Sequence, residues 1–262
     1  MTRYLPGMRE AYDASATAWV QGPASAYDVM ADLLLATATT RVPGARVLDI
    51  GSGAGAAARA ARRAGAGWVV GVDVAPEMLR VGSGWGSAVV ADASRLPFAD
   101  GGFDLVVAAC CLGHLPDPLA ALMEVRRVAS AIVASAFLSG WTHPAKSLVD
   151  EIAVGYGFTV PEWYSRLKSD VEPEVDDPMK LEALGVAAGF GQVAVATHSV
   201  EVGLHSPSEL ASWRLGMAHL APFVASLPVS RREGLRRQCE EALVGSPKLI
   251  VPLVVLSAAD LR

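Results

Sequence analysis

Five short apolar runs, separated by segments with helical spacing, organise the first half of the chain. The runs cover residues 46–50, 68–73, 87–92, 103–110 and 130–136. They are largely continuous stretches of Val, Ile, Leu and Ala, a pattern typical of strands that are buried on both faces. Helices are predicted between them over residues 54–64, 76–80 and 118–128. This alternation predicts an α/β fold with a doubly wound, mostly parallel sheet.

The pattern is looser on either side of these runs. Residues 26–40 predict an amphipathic helix, and the acidic stretch 170–177 predicts a loop. Pro252 lies inside the last predicted strand, which favours an edge position or a bulge. Further elements are expected after residue 139: helices over 179–188, 207–220 and 229–243, and strands over 192–202 and 249–256. We expect a single domain over residues 1–262.

Composition and charge narrow the class of protein. The 262 residues are 52% hydrophobic, enough for one large α/β domain with a substantial core. The net charge is −5 and the arginine pairs are scattered, so we expect no nucleic-acid partner. Three cysteines without regular spacing predict neither a disulfide framework nor a metal site. A small-molecule substrate is the expected partner.

The chain shows no targeting signal that would place it at a membrane. Its N-terminus lacks the apolar core of a signal peptide, and no run of about 18 apolar residues occurs. We therefore expect a cytoplasmic protein, a monomer or a homodimer. The heavy use of Ala, Gly and Arg fits a GC-rich bacterial genome.

The first predicted strand leads into a turn rich in glycine. Gly51, Gly53 and Gly55 remove side chains from this turn, and a helix is predicted directly after it. In such a strand–turn–helix the main chain can approach a ligand closely, and the helix N-terminus presents free N–H groups. Asp49 lies within the apolar strand, where a carboxylate is costly unless it meets a polar partner. A nucleotide-type site is therefore predicted at this end of the strand.

Polar residues also follow the next strands. Asp73 ends the second strand, Asp92 ends the third, and His114 follows the fourth. The carboxyl ends of parallel strands form one edge of the sheet, where ligands bind. Carboxylates there can accept hydrogen bonds from ribose hydroxyls and from the amine of adenine. A histidine there can take a proton near neutral pH.

A dinucleotide site is one alternative. Gly51, Gly53 and Ala56 match the Gly-x-Gly-x-x-Gly/Ala pattern of nicotinamide-dependent oxidoreductases. Three features count against it: Asp49 in a strand that is normally apolar, the third glycine at Gly55, and a first strand that begins only at residue 46. The NAD-dependent oxidoreductase is therefore the less favoured interpretation.

Successive motifs resemble those of class I S-adenosylmethionine-dependent methyltransferases. The similarity lies in residues 47–55, 71–79 and 91–106, and residues 112–118 resemble the small-molecule, type 11 or UbiE-like, branch. Together the motifs define residues 46–136 as a cofactor-binding core. The resemblance implies a Rossmann-like sheet of seven strands, the last antiparallel. It also implies S-adenosyl-L-methionine as cofactor and O-, N- or C-methylation of a small acceptor.

The resemblance further implies roles for single residues. Asp49 and Gly51 would hold the methionine amino end, Asp73 the ribose hydroxyls, and Asp92 with Ala93 the adenine. The expected cofactor-binding residues are Asp49, Gly51, Ser52, Gly53, Gly55, Asp73, Val74, Met78, Asp92 and Ala93.

Segments outside the core are expected to cover the site. Residues 1–25 resemble the lid of such enzymes, which makes Tyr12 a candidate catalytic residue together with His114. Residues 139–178 and 203–245 are expected to form a cap over the substrate, which favours a lipophilic or polycyclic acceptor. By analogy with other enzymes of this class, a role in secondary metabolism is expected. Candidate substrate-binding residues are His114, Trp141, His143, Trp163, Tyr164, Trp213 and Met217.

Two alternatives remain open at this point. For Tyr12 and Met78, a role in packing alone is as well supported as a role in the site. Cys110 and Cys111 are interpreted as small core residues rather than nucleophiles. The sequence does not single out one proton-transfer residue. The second hypothesis is therefore a methyltransferase-fold protein that binds the cofactor without transferring methyl, as a cyclase or a binding module.

Overall fold

A seven-stranded sheet forms the centre of the protein, as a computed structural model shows for residues 5–38, 41–82 and 84–260. The strands are β1 (Arg46–Ile50), β2 (Trp68–Asp73), β3 (Ser87–Val90), β4 (Leu105–Ala109), β5 (Ala131–Phe137), β6 (Gln192–Glu201) and β7 (Ile250–Ala259). Their order across the sheet is β3-β2-β1-β4-β5-β7-β6.

Helices cover both faces of this sheet. They are α1 (Met8–Gln21), α2 (Ala24–Ala36), α3 (Ala56–Arg63), α4 (Pro76–Val81), α5 (Pro118–Val128), α6 (Pro144–Gly155), α7 (Glu162–Arg166), α8 (Pro178–Ala187), α9 (Pro207–Leu215), α10 (Ala221–Ser226) and α11 (Val229–Ala242).

The strand order creates a switch point beside β1. Strands β1 to β5 pair in parallel, and the chain runs outward from β1 to β3 before it returns to β4 on the other side of β1. In sheets of this kind, ligands bind where the order reverses, outside the carboxyl ends of the strands. Strand β7 is antiparallel to both β5 and β6. The predicted doubly wound, mostly parallel sheet with one antiparallel strand is confirmed.

Successive residues of β1 point to opposite faces of the sheet and enter two apolar clusters. Val47 packs in one cluster with Leu34 of α2. Leu48 packs in the other with Leu122 of α5 and Leu181 of α8. All five side chains are fully buried. This two-sided burial explains why the strands are continuous apolar runs rather than alternating ones.

The expectation for Pro252 was wrong. It lies in β7, which is an interior strand between β5 and β6, and the pairing runs through it without a bulge. Its carbonyl accepts a hydrogen bond from the main-chain nitrogen of Leu138, directly beyond the last β5–β7 pair, Phe137 with Leu253. The missing N–H of Pro252 therefore falls past the end of the β5 ladder, where it breaks no strand hydrogen bond.

Other boundaries differ more modestly from the prediction. Strands β3 and β4 are shorter than predicted, and the interval 207–220 contains α9 followed by a turn rather than one helix. The acidic stretch 170–177 is not a plain loop, since a π turn and a 3₁₀ turn occupy residues 167–174. Helix α2 begins and ends earlier than predicted, and residues 39 and 40 of that prediction lie outside the described residues.

Two kinds of feature are absent from the described ranges. No helix there is both long and apolar enough to span a bilayer. No group of three or more His, Cys, Asp or Glu side chains comes together in a way that could hold a metal ion within these same ranges.

Candidate cofactor and acceptor sites

A cavity opens at the carboxyl ends of β1, β2 and β4, at the switch point of the sheet. Eight of the ten predicted cofactor-binding residues line it, and these are Asp49, Gly51, Ser52, Gly53, Asp73, Val74, Met78 and Ala93. Side chains from α1 and the start of α2 form its opposite wall, namely Met8, Tyr12, Trp19 and Tyr27. The sequence motifs therefore converge on one cavity.

The structure does not place the other two predicted residues in the wall of this cavity. Asp92 Oδ1 accepts hydrogen bonds from the main-chain nitrogen and the hydroxyl of Ser94, so this carboxylate caps its own turn. Gly55 lies behind the turn with φ +85°, and the indole of Trp85 fills the space that a side chain would need. Gly55 thus supports the turn, and Ala93 represents the third strand in the cavity.

The glycine turn is held in place by Asp73. Gly51 and Gly53 have positive φ angles of 64° and 49°, which favour glycine. The main-chain nitrogen of Gly53 donates to Asp73 Oδ2 at 2.8 Å, and that of Ala75 donates to Oδ1 at 2.9 Å. The carboxylate is thereby oriented at the end of β2, and each oxygen retains a lone pair for a ribose hydroxyl.

Asp49 is a buried carboxyl group with one unsatisfied oxygen. Its side chain is 1% exposed, and Oδ2 accepts a hydrogen bond of 2.9 Å from the main-chain nitrogen of Ala58 in α3. Oδ1 has no hydrogen-bond partner among the described residues. Burial raises the pKa of Asp49 to about 8, against the effect of the Ala58 hydrogen bond. A cationic amino group is the partner that this oxygen lacks, so the residues fit a ligand with an ammonium group.

A second cavity, of about 250 Å³, adjoins the first. Six of the seven predicted substrate-binding residues line it, namely His114, Trp141, Trp163, Tyr164, Trp213 and Met217. His143 does not, because its ring caps α6. Its Nδ1 accepts a hydrogen bond from the main-chain nitrogen of Ala145, and its Nε2 lies 3.2 Å from the carbonyl of Pro247.

Tyr12 and His114 form the boundary between the two cavities, and both line each of them. The Tyr12 hydroxyl and His114 Nε2 are 2.8 Å apart, within hydrogen-bond distance. Burial lowers the pKa of His114; Glu172 acts against this shift, and Lys168 adds to it. Burial and Asp73 raise the pKa of Tyr12 well above its ordinary value. At neutral pH both groups are therefore uncharged, and the imidazole can accept a proton.

Helix α1 lies over the first cavity. Met8, Tyr12 and Trp19 line the cavity from this helix, at intervals of four and seven residues that place them on one face. Asp13, on the same helix, accepts a hydrogen bond of 2.9 Å from the main-chain nitrogen of Glu77, at the start of α4. Residues 1–4 of the predicted lid lie outside the described residues.

The two adjacent cysteines are buried at the end of β4. Burial raises the pKa of Cys110 to about 12 and that of Cys111 still further, so both remain thiols. Both side chains pack in the apolar clusters on either side of the sheet, and their assignment as core residues rather than nucleophiles stays a prediction. Cys110 has a φ of +52°, which is rare outside glycine, and its main-chain nitrogen donates to the Ser135 hydroxyl. The chain therefore turns sharply at the cavity wall.

Residues 48–131 match a family model described as a methyltransferase domain, of type 11. This range contains the glycine turn, Asp73 and Ala93. The fold and the site therefore define a class I S-adenosyl-L-methionine-dependent methyltransferase domain. Residues 48–131 match the type 11 branch of that class, whose cofactor is S-adenosyl-L-methionine.

Curated relatives support the same class. The chain is 42% identical over 126 residues to the ubiquinone/menaquinone biosynthesis C-methyltransferase UbiE of Cupriavidus metallidurans, covering 40% of this chain and 51% of the relative. It is 35% identical over 164 residues to UbiE of Paraburkholderia phymatum, covering 53% and 65%. The chain thus spans about half to two thirds of the length of these relatives.

Solved structures show the same fold. Haemonchus contortus phosphoethanolamine N-methyltransferase 2, in complex with S-adenosyl-L-methionine, has a TM-score of 0.53 at 19% identity, covering 88% of this chain and 52% of that chain. The [4+2]-cyclase SpnF has a TM-score of 0.53 at 18% identity, covering 90% and 82%.

The charge state of Asp49 gives a testable consequence. At pH 7 a carboxyl group with a pKa of about 8 is mostly protonated, and an ammonium group beside it lowers that pKa. We expect S-adenosylhomocysteine binding at pH 7 to release up to about one proton. Calorimetry in two buffers with different ionisation enthalpies measures this release, and Asp49→Asn, which keeps an amide oxygen for Ala58, abolishes it. Equal binding enthalpies in both buffers contradict the prediction.

Proposed function

We propose that this protein transfers a methyl group from S-adenosyl-L-methionine to a small, lipophilic acceptor that binds in the second cavity. The observation that carries the proposal is the junction of the two cavities at Tyr12 and His114. A cofactor site and an aromatic cavity that share one polar wall allow a donor and an acceptor to meet in a fixed orientation.

The cofactor-binding residues of this chain have distinct roles in the proposal. Asp49 holds the amino group, Asp73 the ribose hydroxyls, and Met78 packs near the adenine or ribose. The cofactor, when bound, supplies an electrophilic methyl group on a sulfonium. Helix α1 excludes water from this region through Tyr12 and Trp19.

His114 is the proposed general base. The acceptor gives its proton to the Tyr12 hydroxyl, which passes its own proton to His114 Nε2 as the new bond to the methyl group forms, and S-adenosylhomocysteine is the second product. Tyr12 orients the imidazole through the 2.8 Å contact. This assignment needs a neutral histidine, which burial of His114 favours through its lowered pKa.

The acceptor class and the cellular setting are parts of the same proposal. The UbiE relatives are C-methyltransferases of ubiquinone and menaquinone biosynthesis, which supports carbon as the methyl-accepting atom. Residues 139–178 and 203–245 are proposed as the substrate cap. The proposal includes bacterial secondary metabolism, a cytoplasmic location, and a monomer or homodimer. The composition and the net charge of −5 support the bacterial source and the absence of a nucleic-acid partner.

The proposal is tested with S-adenosyl-L-methionine that carries a deuterated methyl group. We expect mass spectrometry to find, among a panel of phenols, naphthols and hydroquinones, a product heavier by one labelled methyl group, together with an equal amount of S-adenosylhomocysteine. A rearranged product without added mass supports the cyclase alternative and contradicts methyl transfer. Absence of S-adenosylhomocysteine binding in calorimetry contradicts the cofactor site itself.

A further inference from the structure

One lysine lies inside the acceptor cavity beside its aromatic wall. Lys146, from α6, is partly buried, and its Nζ donates a hydrogen bond of 3.1 Å to the main-chain carbonyl of Trp141. The same Nζ lies 4.3 Å from the centroid of the Trp141 ring. Neither a carbonyl nor an aromatic face carries a full negative charge, so these contacts leave the ammonium without a counter-ion.

The other two cations of this cavity have carboxylate partners. Lys168 pairs with Glu172 at 2.6 Å, and the buried Arg214 pairs with Asp150, with its Nε 2.8 Å from Oδ1. Among the ion pairs of the described residues, none involves Lys146. Asp176 is the remaining charged residue of the lining, and it makes no ion pair with Lys146. The cavity therefore has one cation that its own acids leave unpaired.

This cation is costly in the empty cavity. Burial, with the nearby positive charges of Lys168 and Arg214, lowers the pKa of Lys146 to about 8, although Glu172 and Asp150 act in the opposite direction. A buried ammonium is tolerated best when an anion pairs with it. Near neutral pH a carboxylate is already ionised, so it can supply that anion without losing a proton first.

The shape of the surrounding wall favours a flat ligand. The rings of Phe137 and Trp141 stack with an interplanar angle of 16° and centroids 5.7 Å apart. The rings of Tyr164 and His219 stack at 4° and 3.9 Å. His219 is 4% exposed, and its Nε2 has no hydrogen-bond partner among the described residues. Flat aromatic surfaces stack on planar ligands, so these pairs give the cavity two sides that suit a ring system.

We propose that the acceptor is a planar aromatic carboxylic acid whose carboxylate pairs with Lys146 while its ring packs against the aromatic wall of the second cavity. This inference rests on the proposed function, since it names the class of molecule that occupies the acceptor cavity. It makes Lys146 a specificity-determining residue that acts by binding and not in the transfer step.

The test uses two probes of the same ring and size, 2-naphthoate and the uncharged 2-naphthamide, titrated by calorimetry into the full chain saturated with S-adenosylhomocysteine. We expect the wild type to bind the carboxylate about tenfold more tightly than the amide, the value of one charge-assisted hydrogen bond. Lys146→Met removes this preference, and Lys146→Arg retains it. Lys248→Met, which removes a surface lysine paired with Glu201, leaves it unchanged.

Each other outcome overturns the inference. Equal affinities in the wild type, no binding of 2-naphthoate, or a preference that survives Lys146→Met contradict a carboxylate contact at this residue. The affinity for S-adenosylhomocysteine reports whether each variant is folded, and Lys146→Gln replaces the methionine variant if that affinity is lost. S-adenosylhomocysteine binding without a carboxylate preference contradicts this inference alone. Failure of the wild type to bind S-adenosylhomocysteine contradicts the proposed function.

Discussion

The Asp73→Asn variant is expected to bind S-adenosylhomocysteine about 100-fold more weakly than the wild type. In the wild type, each carboxylate oxygen accepts a main-chain hydrogen bond, from Gly53 and from Ala75. An asparagine must turn its NH₂ group toward one of these two N–H donors. The variant therefore loses one hydrogen bond of the glycine turn and one acceptor for the ribose hydroxyls. Isothermal titration calorimetry measures the loss directly.

The same substitution at a surface position away from the cavity serves as the control for Asp73→Asn. Asp104 pairs with Arg46 at 2.8 Å on an exposed surface, and both side chains are 47% exposed. Asp104→Asn is expected to leave the affinity for S-adenosylhomocysteine near the wild-type value, because exposed ion pairs contribute little. An Asp73→Asn variant that binds within threefold of the Asp104→Asn control would refute the role of Asp73.

The second large effect concerns the rate of methyl transfer. We expect His114→Gln to lower kcat by about 10²–10⁴-fold, the usual contribution of a general base, with little change in the affinity for S-adenosylhomocysteine. Glutamine keeps a hydrogen-bonding group near Tyr12 but cannot take a proton. The assay is the labelled-methyl reaction with the acceptor that it identifies, and it separates kcat from the KM of each substrate.

The pH profile distinguishes this role from a structural one. Burial lowers the pKa of His114, so the base remains unprotonated, and the wild-type rate persists, below the pH at which an ordinary histidine becomes charged. The rate then falls as the pH drops through this lowered pKa. A second variant, Tyr12→Phe, tests the Tyr12–His114 contact by itself. It removes only the hydroxyl and keeps the ring that packs against Trp19 and Trp163. A His114→Gln variant with wild-type kcat would exclude the base.

The cofactor cavity could be predicted from the sequence because its determinants are local. Asp49, the glycine turn and Asp73 each follow a strand directly, and parallel strands place such positions at one edge of the sheet. Asp92 shows the limit of this reasoning. The sequence predicts an adenine contact for Asp92 from its position at the end of a strand, but the side chain turns back to Ser94. Side-chain direction depends on the turn that follows, which strand spacing does not define.

The acceptor cavity could be predicted only in part. Its aromatic residues are predicted because Trp and Tyr are sparse and clustered. Lys146 and Arg214 come from helices with no distinctive pattern, and His219 comes from the turn that follows α9. They meet because α6 and α9 pack against each other, a long-range contact that leaves no local signal. The sequence predicts His143 as a substrate-binding residue because of its side-chain type. It is instead the N-cap of α6, because that helix begins at Pro144.

The glycine turn is enclosed from two sides, by Cys111 against Gly51 and by Trp85 against Gly55. Its conformational entropy is therefore lost during folding, before any ligand arrives. A preorganised loop makes binding cheaper, because association does not have to order it again. Selection for tight cofactor binding thus extends to Trp85, a side chain that the cofactor itself does not need to touch.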